Sequence, residues 1–235
     1  RKMAPALVTG NTIVVKPSVD SPINAILFAE IVHASGLPKG VFNLVHGAGG
    51  EIGQELAGNP KVGLVSLTGS EPAGRKVMEA ASRNITKVNL ELGGKAPAIV
   101  LADANLDLAA KAIVASRIIN SGQVCNCAER IYVQCEVKEV FTQKLVELMK
   151  KVRLGNPLED ETLDMGPMVN KQGQLHAQAM VDEAIKAGGR CLLGGHSVKG
   201  KGYYFEPTII DNVTNDMAIL RQEIPCHSDC HFRDH

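Results

Sequence analysis

Apolar and polar positions along the first ninety residues change period repeatedly. Short β-branched runs alternate with longer stretches in which apolar residues recur every three or four positions. Residues 12–16 (TIVVK) read as a buried strand. Ser21 and Pro22 read as an N-cap and first helical position, opening a helix that runs to about His33 and stops at Gly36 and Pro38. Residues 41–45 form a second strand, and residues 47–50 a glycine-rich turn that leads into a short helix ending near Gly58. Residues 62–67 form a third strand. Thr68, Gly69 and Ser70 make a tight turn, with Ser70 capping a helix over about residues 71–82, and residues 86–90 form a fourth strand. Strands spaced by helices of this length imply a parallel sheet with right-handed crossovers.

The pattern restarts after Gly93 and Gly94, the natural place to divide the chain. Residues 98–101 read as a strand, about 106–119 as a helix, 130–134 as a strand and about 138–152 as a long amphipathic helix. A further helix spans residues 177–187 and ends at Gly188 and Gly189; residues 203–210 read as extended. No internal repeat or low-complexity linker interrupts the series. The expected fold class is α/β, with a parallel-sheet domain over residues 1–92, part of a second α/β domain over 93–224, and a tail over 225–235.

Composition narrows the function classes. The chain has 235 residues, 45% of them hydrophobic, enough for one large domain or two modest ones. Twenty-five basic and 25 acidic residues balance to a formal charge of +0, so neither nucleic acid nor an anionic membrane is expected as partner. Aromatics are 3% and Trp is absent, which removes a base-stacking platform. No apolar run reaches the roughly 18 residues of a membrane-spanning helix. The opening RKMAPALVTG is too short for a signal peptide, and the six cysteines form no regular disulfide framework, so a reducing, cytoplasmic setting is expected.

Three stretches carry candidate chemistry. In SGQVCNCAER, residues 121–130, Cys125 falls on a turn between a helix and a strand. A reactive thiol needs such partial exposure, and turn N–H groups can hold an oxyanion. Spacing alone equally suits a pair of inert cysteines, and one intervening residue before Cys127 fits neither a redox CxxC nor a zinc knuckle. In LELGGKAP, residues 90–97, Glu91 closes a strand ahead of two glycines, where a carboxylate could activate water or simply be solvated. The run from Leu67 to Ser70 ends a strand and opens a helix, a phosphate-binding arrangement or plain turn chemistry. Gly47, Ala48 and Gly49 also follow a strand without giving GxGxxG, and Lys16 closes the first strand within reach of a ribose or phosphate.

Taken in order, KPS at Lys16, GLPKGVFNLV from Gly36, TGS at Thr68, LELGGKAP from Leu90 and GQVC at Gly122 resemble the aldehyde dehydrogenase superfamily. NSGQVCNCAER and ITKVNLELGGKAPAIV are most like its bacterial lactaldehyde and glycolaldehyde dehydrogenases. The resemblance runs from Arg1 to about Ile224. It implies a Rossmann-like cofactor domain followed by part of the catalytic domain, and oxidation of an aldehyde, such as lactaldehyde or glycolaldehyde, to a carboxylate. It makes Cys125 the nucleophile and Glu91 the base that activates water. NAD, or alternatively NADP, is the implied cofactor, with contacts at Lys16, Gly49, Gly69, Ser70, Leu92 and Glu223. The implied partner is a small aldehyde, and the implied full-length state a homo-oligomer.

The chain departs from the family at three places. Family members carry an oxyanion-hole Asn upstream of RKMAPAL, so a fragment lacking both ends is expected. Many NAD-using members carry an acidic residue where this chain has Val19 beside Asp20, which leaves the choice of cofactor open. Where the family continues EIFGPV, this chain reads EIPCHSDCHFRDH. Cys226, His227, Cys230, His231 and His235 in that tail suit zinc, but a shifted or truncated end explains them as well, and no metal is expected. Two other functions compete with the hydrolytic enzyme. One is a CoA-acylating relative, against which Glu91 argues; the other is a catalytically incomplete nucleotide-binding module.

Overall fold

A computed structural model describes residues 1–222 and the backbone of 229–234. The chain divides into two compact units, Arg1–Leu92 and Gly93–His235.

The first unit opens with a short helix, α1 (Met3–Val8), which the sequence pattern did not announce. Then come β1 (Ile13–Val15), α2 (Ile23–Ala34) and β2 (Phe42–Leu44). A single π turn (Gly49–Gly53) leads into α3 (Gln54–Gly58), followed by β3 (Leu64–Gly69), α4 (Glu71–Ser82) and β4 (Lys87–Leu92). The α2 cap falls on Pro22 rather than Ser21, and no side chain accepts a helix N–H there. Ser70 does cap α4: its hydroxyl accepts the Ala73 N–H, and Pro72 occupies a first-turn position where no N–H is needed.

The strands form two separate parallel pairs. In one, Ile13 stands opposite Phe42; in the other, Leu64 stands opposite Lys87. Each pair has its own cover. Buried Ala57, Val77 and Ala80 pack on Val65, Leu67, Val88 and Leu90, which closes α3 and α4 over β3 and β4. Gly74 of α4 is a close-approach position, because a Cβ there would meet Leu92 Cδ2 at 2.8 Å. Over the other pair, Phe28 of α2 tilts against Phe42 of β2 with ring centroids 5.8 Å apart, and α2 buries no residue completely.

The second unit begins with β5 (Pro97–Val100) and α5 (Leu106–Ile118), then a 3-10 turn (Ile119–Gly122) and β6 (Arg130–Val133). A 3-10 turn (Cys135–Val137) leads into α6 (Lys138–Met149), then α7 (Lys171–Lys186) and β7 (Arg190–Leu193). The last elements are β8 (Thr208–Asp211), α8 (Ala218–Arg221) and β9 (Asp229–Asp234). The sheet order is β5-β6-β9-β8-β7, parallel throughout except for the β7–β8 pair.

Two apolar clusters build this unit. Ile113, Ile131, Phe141, Leu145 and Ile209 anchor one, joining α5 and α6 to the sheet. Met180, Val181, Ile210 and Ile219 anchor the other, under α7 and α8. The four residues of β8 are all buried, as expected of a strand inside a largely parallel sheet. The helix expected from residue 177 begins at Lys171 instead, because Asn170 caps it by accepting the Gly173 N–H. β9 places part of the expected tail between β6 and β8.

Candidate active site

The carboxyl ends of the strands in the first unit collect most of its candidate residues. The β3–β4 register sets Thr68 beside Glu91 and Gly69 beside Leu92, and Ser70 follows directly as the cap of α4. Glu91 is exposed, while Leu92 is half-buried against Gly74. Lys16 and Gly49 lie beyond the ends of β1 and β2. The Lys16 ammonium donates to Pro17 O at 2.6 Å and to Gly47 O at 3.4 Å, next to the turn that begins at Gly49.

Sequence reasoning missed Lys2. Its ammonium donates to Ser66 Oγ at 2.7 Å. Partial burial pulls its pKa below the ordinary lysine value, and the charge of Glu91 opposes that shift. A cation is thereby placed in the field of the candidate base. The basic opening RKM was the only signal in the sequence.

In the second unit, Cys125 stands at the corner of a turn closed by the Cys127 N–H on Val124 O at 3.2 Å. Cys125 and Asn126 are exposed, and Cys127 is buried. Among the described residues, no intramolecular acceptor takes the Cys125 N–H, which leaves it free to donate to a developing oxyanion. The preceding turn is left-handed over three successive residues, with φ of 48° at Asn120, 57° at Ser121 and 78° at Gly122. Two of these are not glycine, and such conformations persist only where the surroundings enforce them.

Behind the turn lies a buried polar group that the sequence reading also missed. Lys95 Nζ donates to Glu129 Oε1 at 2.5 Å, and Arg117 Nη2 lies 3.9 Å from the same oxygen. Arg117 Nη1 donates to Cys127 Sγ at 2.7 Å. Arg117 is the last member of a buried α5 row that also holds Ala110, Ile113 and Val114. A lone arginine at the i+7 position of an apolar helical face was the available signal.

Glu223 lies outside the described residues, as do Cys226, His227 and His235 of the possible metal cluster; for Cys230 and His231 only the strand backbone is described. Among the described residues no group of three or more His, Cys, Asp or Glu could hold a metal ion, and no helix is long and apolar enough to cross a membrane.

Residues 1–225 match the model of the aldehyde dehydrogenase family, and the chain belongs to that family. It is 57% identical over 223 residues to the lactaldehyde dehydrogenase of Escherichia coli K12, a match covering 95% of this chain and 47% of that protein. It is 44% identical over 229 residues to the D-glyceraldehyde dehydrogenase (NADP(+)) of Picrophilus torridus, covering 95% of this chain and 46% of that one. The crystal structure of lactaldehyde dehydrogenase from Escherichia coli superposes with a TM-score of 0.97 at 55% identity, covering all of this chain and 49% of that one. The chain thus spans about half the length of the relatives it matches, and its fold is the aldehyde dehydrogenase fold.

Proposed function

We propose that the chain is part of an NAD(P)-dependent aldehyde dehydrogenase in which Cys125 is the nucleophile and Glu91 the general base. The observation that carries this reading is the exposed turn at Cys125, with its unclaimed N–H, in a chain 57% identical to a lactaldehyde dehydrogenase. The Cys125 thiolate adds to the aldehyde carbonyl and forms a thiohemiacetal, while its own N–H donates to the new oxyanion. Bound NAD(P) supplies the acceptor for the hydride that leaves the thiohemiacetal carbon as the thioester forms. Glu91 then takes a proton from water; the water attacks the thioester, and the carboxylic acid and the Cys125 thiolate are released.

The residues at the strand ends of the first unit fit a dinucleotide, and we assign residues 1–92 to its binding domain and 93–224 to the catalytic domain. Lys16 spends two ammonium protons on backbone carbonyls and keeps a third for a ribose or phosphate oxygen. The Ser70 hydroxyl accepts the Ala73 N–H at 3.4 Å, so its own proton remains available to a phosphate oxygen. The backbone of Gly49, Gly69 and Leu92 would complete the contacts. The lactaldehyde dehydrogenase and D-glyceraldehyde dehydrogenase relatives support short 2-hydroxyaldehydes, such as lactaldehyde or glycolaldehyde, as the proposed substrates.

The test is NAD(P)H formation by the full-length gene product with lactaldehyde and glycolaldehyde. Cys125→Ala is expected to abolish turnover, and Glu91→Gln to slow acid release while an acyl-enzyme accumulates on Cys125. Wild-type turnover in Cys125→Ala would refute the assignment.

A further inference from the structure

We propose that the buried Arg117–Cys127 pair is a positioning device for Cys125, holding the left-handed turn ahead of the nucleophile through the Gly122 carbonyl. The proposal rests on the reading of Cys125 as the nucleophile. Cys127 Sγ donates to Gly122 O at 3.2 Å and accepts from Arg117 Nη1 at 2.7 Å, so one thiol joins a fixed cation to the backbone of the strained turn. Arg117 is completely buried and Cys127 is 5% exposed, so neither contact competes with bulk water. Among the described residues, Arg117 Nε and Nη2 have no hydrogen-bond partner, so the contact to sulfur is the direct hydrogen bond that this guanidinium makes.

The rest of the turn is tied from the opposite side. Ser121 Oγ donates to Gly166 O at 2.9 Å, and Gln123 Oε1 accepts the Val169 N–H at 2.9 Å. These bonds fix the turn to the segment before α7, while Cys127 fixes it to α5. Cys125 lies between the two anchors, three residues after Gly122 and two before Cys127. A shift of the Gly122 carbonyl would therefore move the Cys125 N–H and Sγ together, and catalysis is sensitive to misplacement of that kind. Cys127 acts through the turn and does not touch the reacting atoms. Serine keeps a donor and an acceptor at this position, whereas valine, larger by about one methyl group, keeps neither.

The experiment compares Cys127→Val and Cys127→Ser in the full-length gene product. It reads kcat, KM, the rate at which iodoacetamide alkylates Cys125, and thermal unfolding. Cys127→Val is expected to stay folded, to lose at least tenfold in kcat with KM for aldehyde and NAD(P) little changed, and to alter the alkylation rate at Cys125. Cys127→Ser is expected to recover kcat to within about threefold of wild type. Wild-type kcat and alkylation in folded Cys127→Val would overturn the proposal. So would a serine variant no better than valine, or loss of folding in both, since Cys127 would then serve the core alone. Failure of the underlying reading gives a different result, in which Cys125→Ala itself remains active.

Discussion

Glu129 and Glu71 allow burial to be tested at constant geometry. Each places a carboxylate oxygen 2.5 Å from a cationic nitrogen, Glu129 with Lys95 and Glu71 with Arg75. The side chains of the first pair are 4% and 6% exposed, and those of the second 66% and 77%. Removing the carboxylate of a buried pair strands a desolvated cation, at about 3–5 kcal/mol. Here Arg117 Nη2, 3.9 Å from the same oxygen, would lose that countercharge as well. An exposed i,i+4 pair on a helix contributes about 0.3–0.5 kcal/mol. Glu129→Ala is therefore expected to destabilise roughly ten times more than Glu71→Ala, from the ratio of those two ranges. Urea unfolding of the full-length protein and both variants, followed by circular dichroism at fixed ionic strength, measures the difference. Raising the salt should erase the Glu71 effect and leave the Glu129 effect almost intact. Equal losses in the two variants would refute the claim that desolvation, rather than separation, sets the strength of the Lys95–Glu129 contact.

Two further outcomes follow from strain and from charge. Ile85 adopts φ 54° with 91% of its surface exposed, so Ile85→Asn should relieve about 1 kcal/mol of left-handed strain and raise the melting temperature. A lower melting temperature would show that Ile85 is covered in the full-length protein. The depressed pKa of Lys2 means that its charged form is disfavoured in the fold, so stability should rise as pH climbs from its folded pKa to the unfolded value of 10.5. Lys2→Met should flatten that alkaline rise in a pH series of urea midpoints, and an unchanged slope would assign the titration elsewhere.

Local signals were legible in the sequence wherever neighbouring residues decide the structure. Ser70 and Pro72 define the start of α4 by themselves, and the β-branched run locates β1, whereas β3 begins two residues later than expected and takes in Thr68 and Gly69, which were read as a turn. The turn at Cys125 could be placed because a helix and a strand flank it. Signals failed where distant residues decide. The front of α7, KQGQLH, shows no apolar period, and only the cap at Asn170 defines it. β7 is four residues held between glycine pairs and pinned by antiparallel pairing with β8. β9, read as DCHFRD, has no β-branched residue and owes its conformation to partners on both sides. Lys95 and Glu129 carry no signal along the chain, Arg117 only its place on an apolar helical face, and their meeting depends on α5 packing against the sheet.

The position of β9 also sets an order for synthesis. Arg130 of β6 pairs with His231, and Thr208 of β8 pairs with Asp229, so β6 and β8 cannot be bridged until the residues that lie between them have left the ribosome. Until then β6 and β8 each present an open strand edge, while the β5–β6 and β7–β8 pairs can already form. A nascent chain exposed outside the ribosome only as far as residue 222 should therefore be a protease-sensitive intermediate, and one exposed beyond residue 234 should be closed.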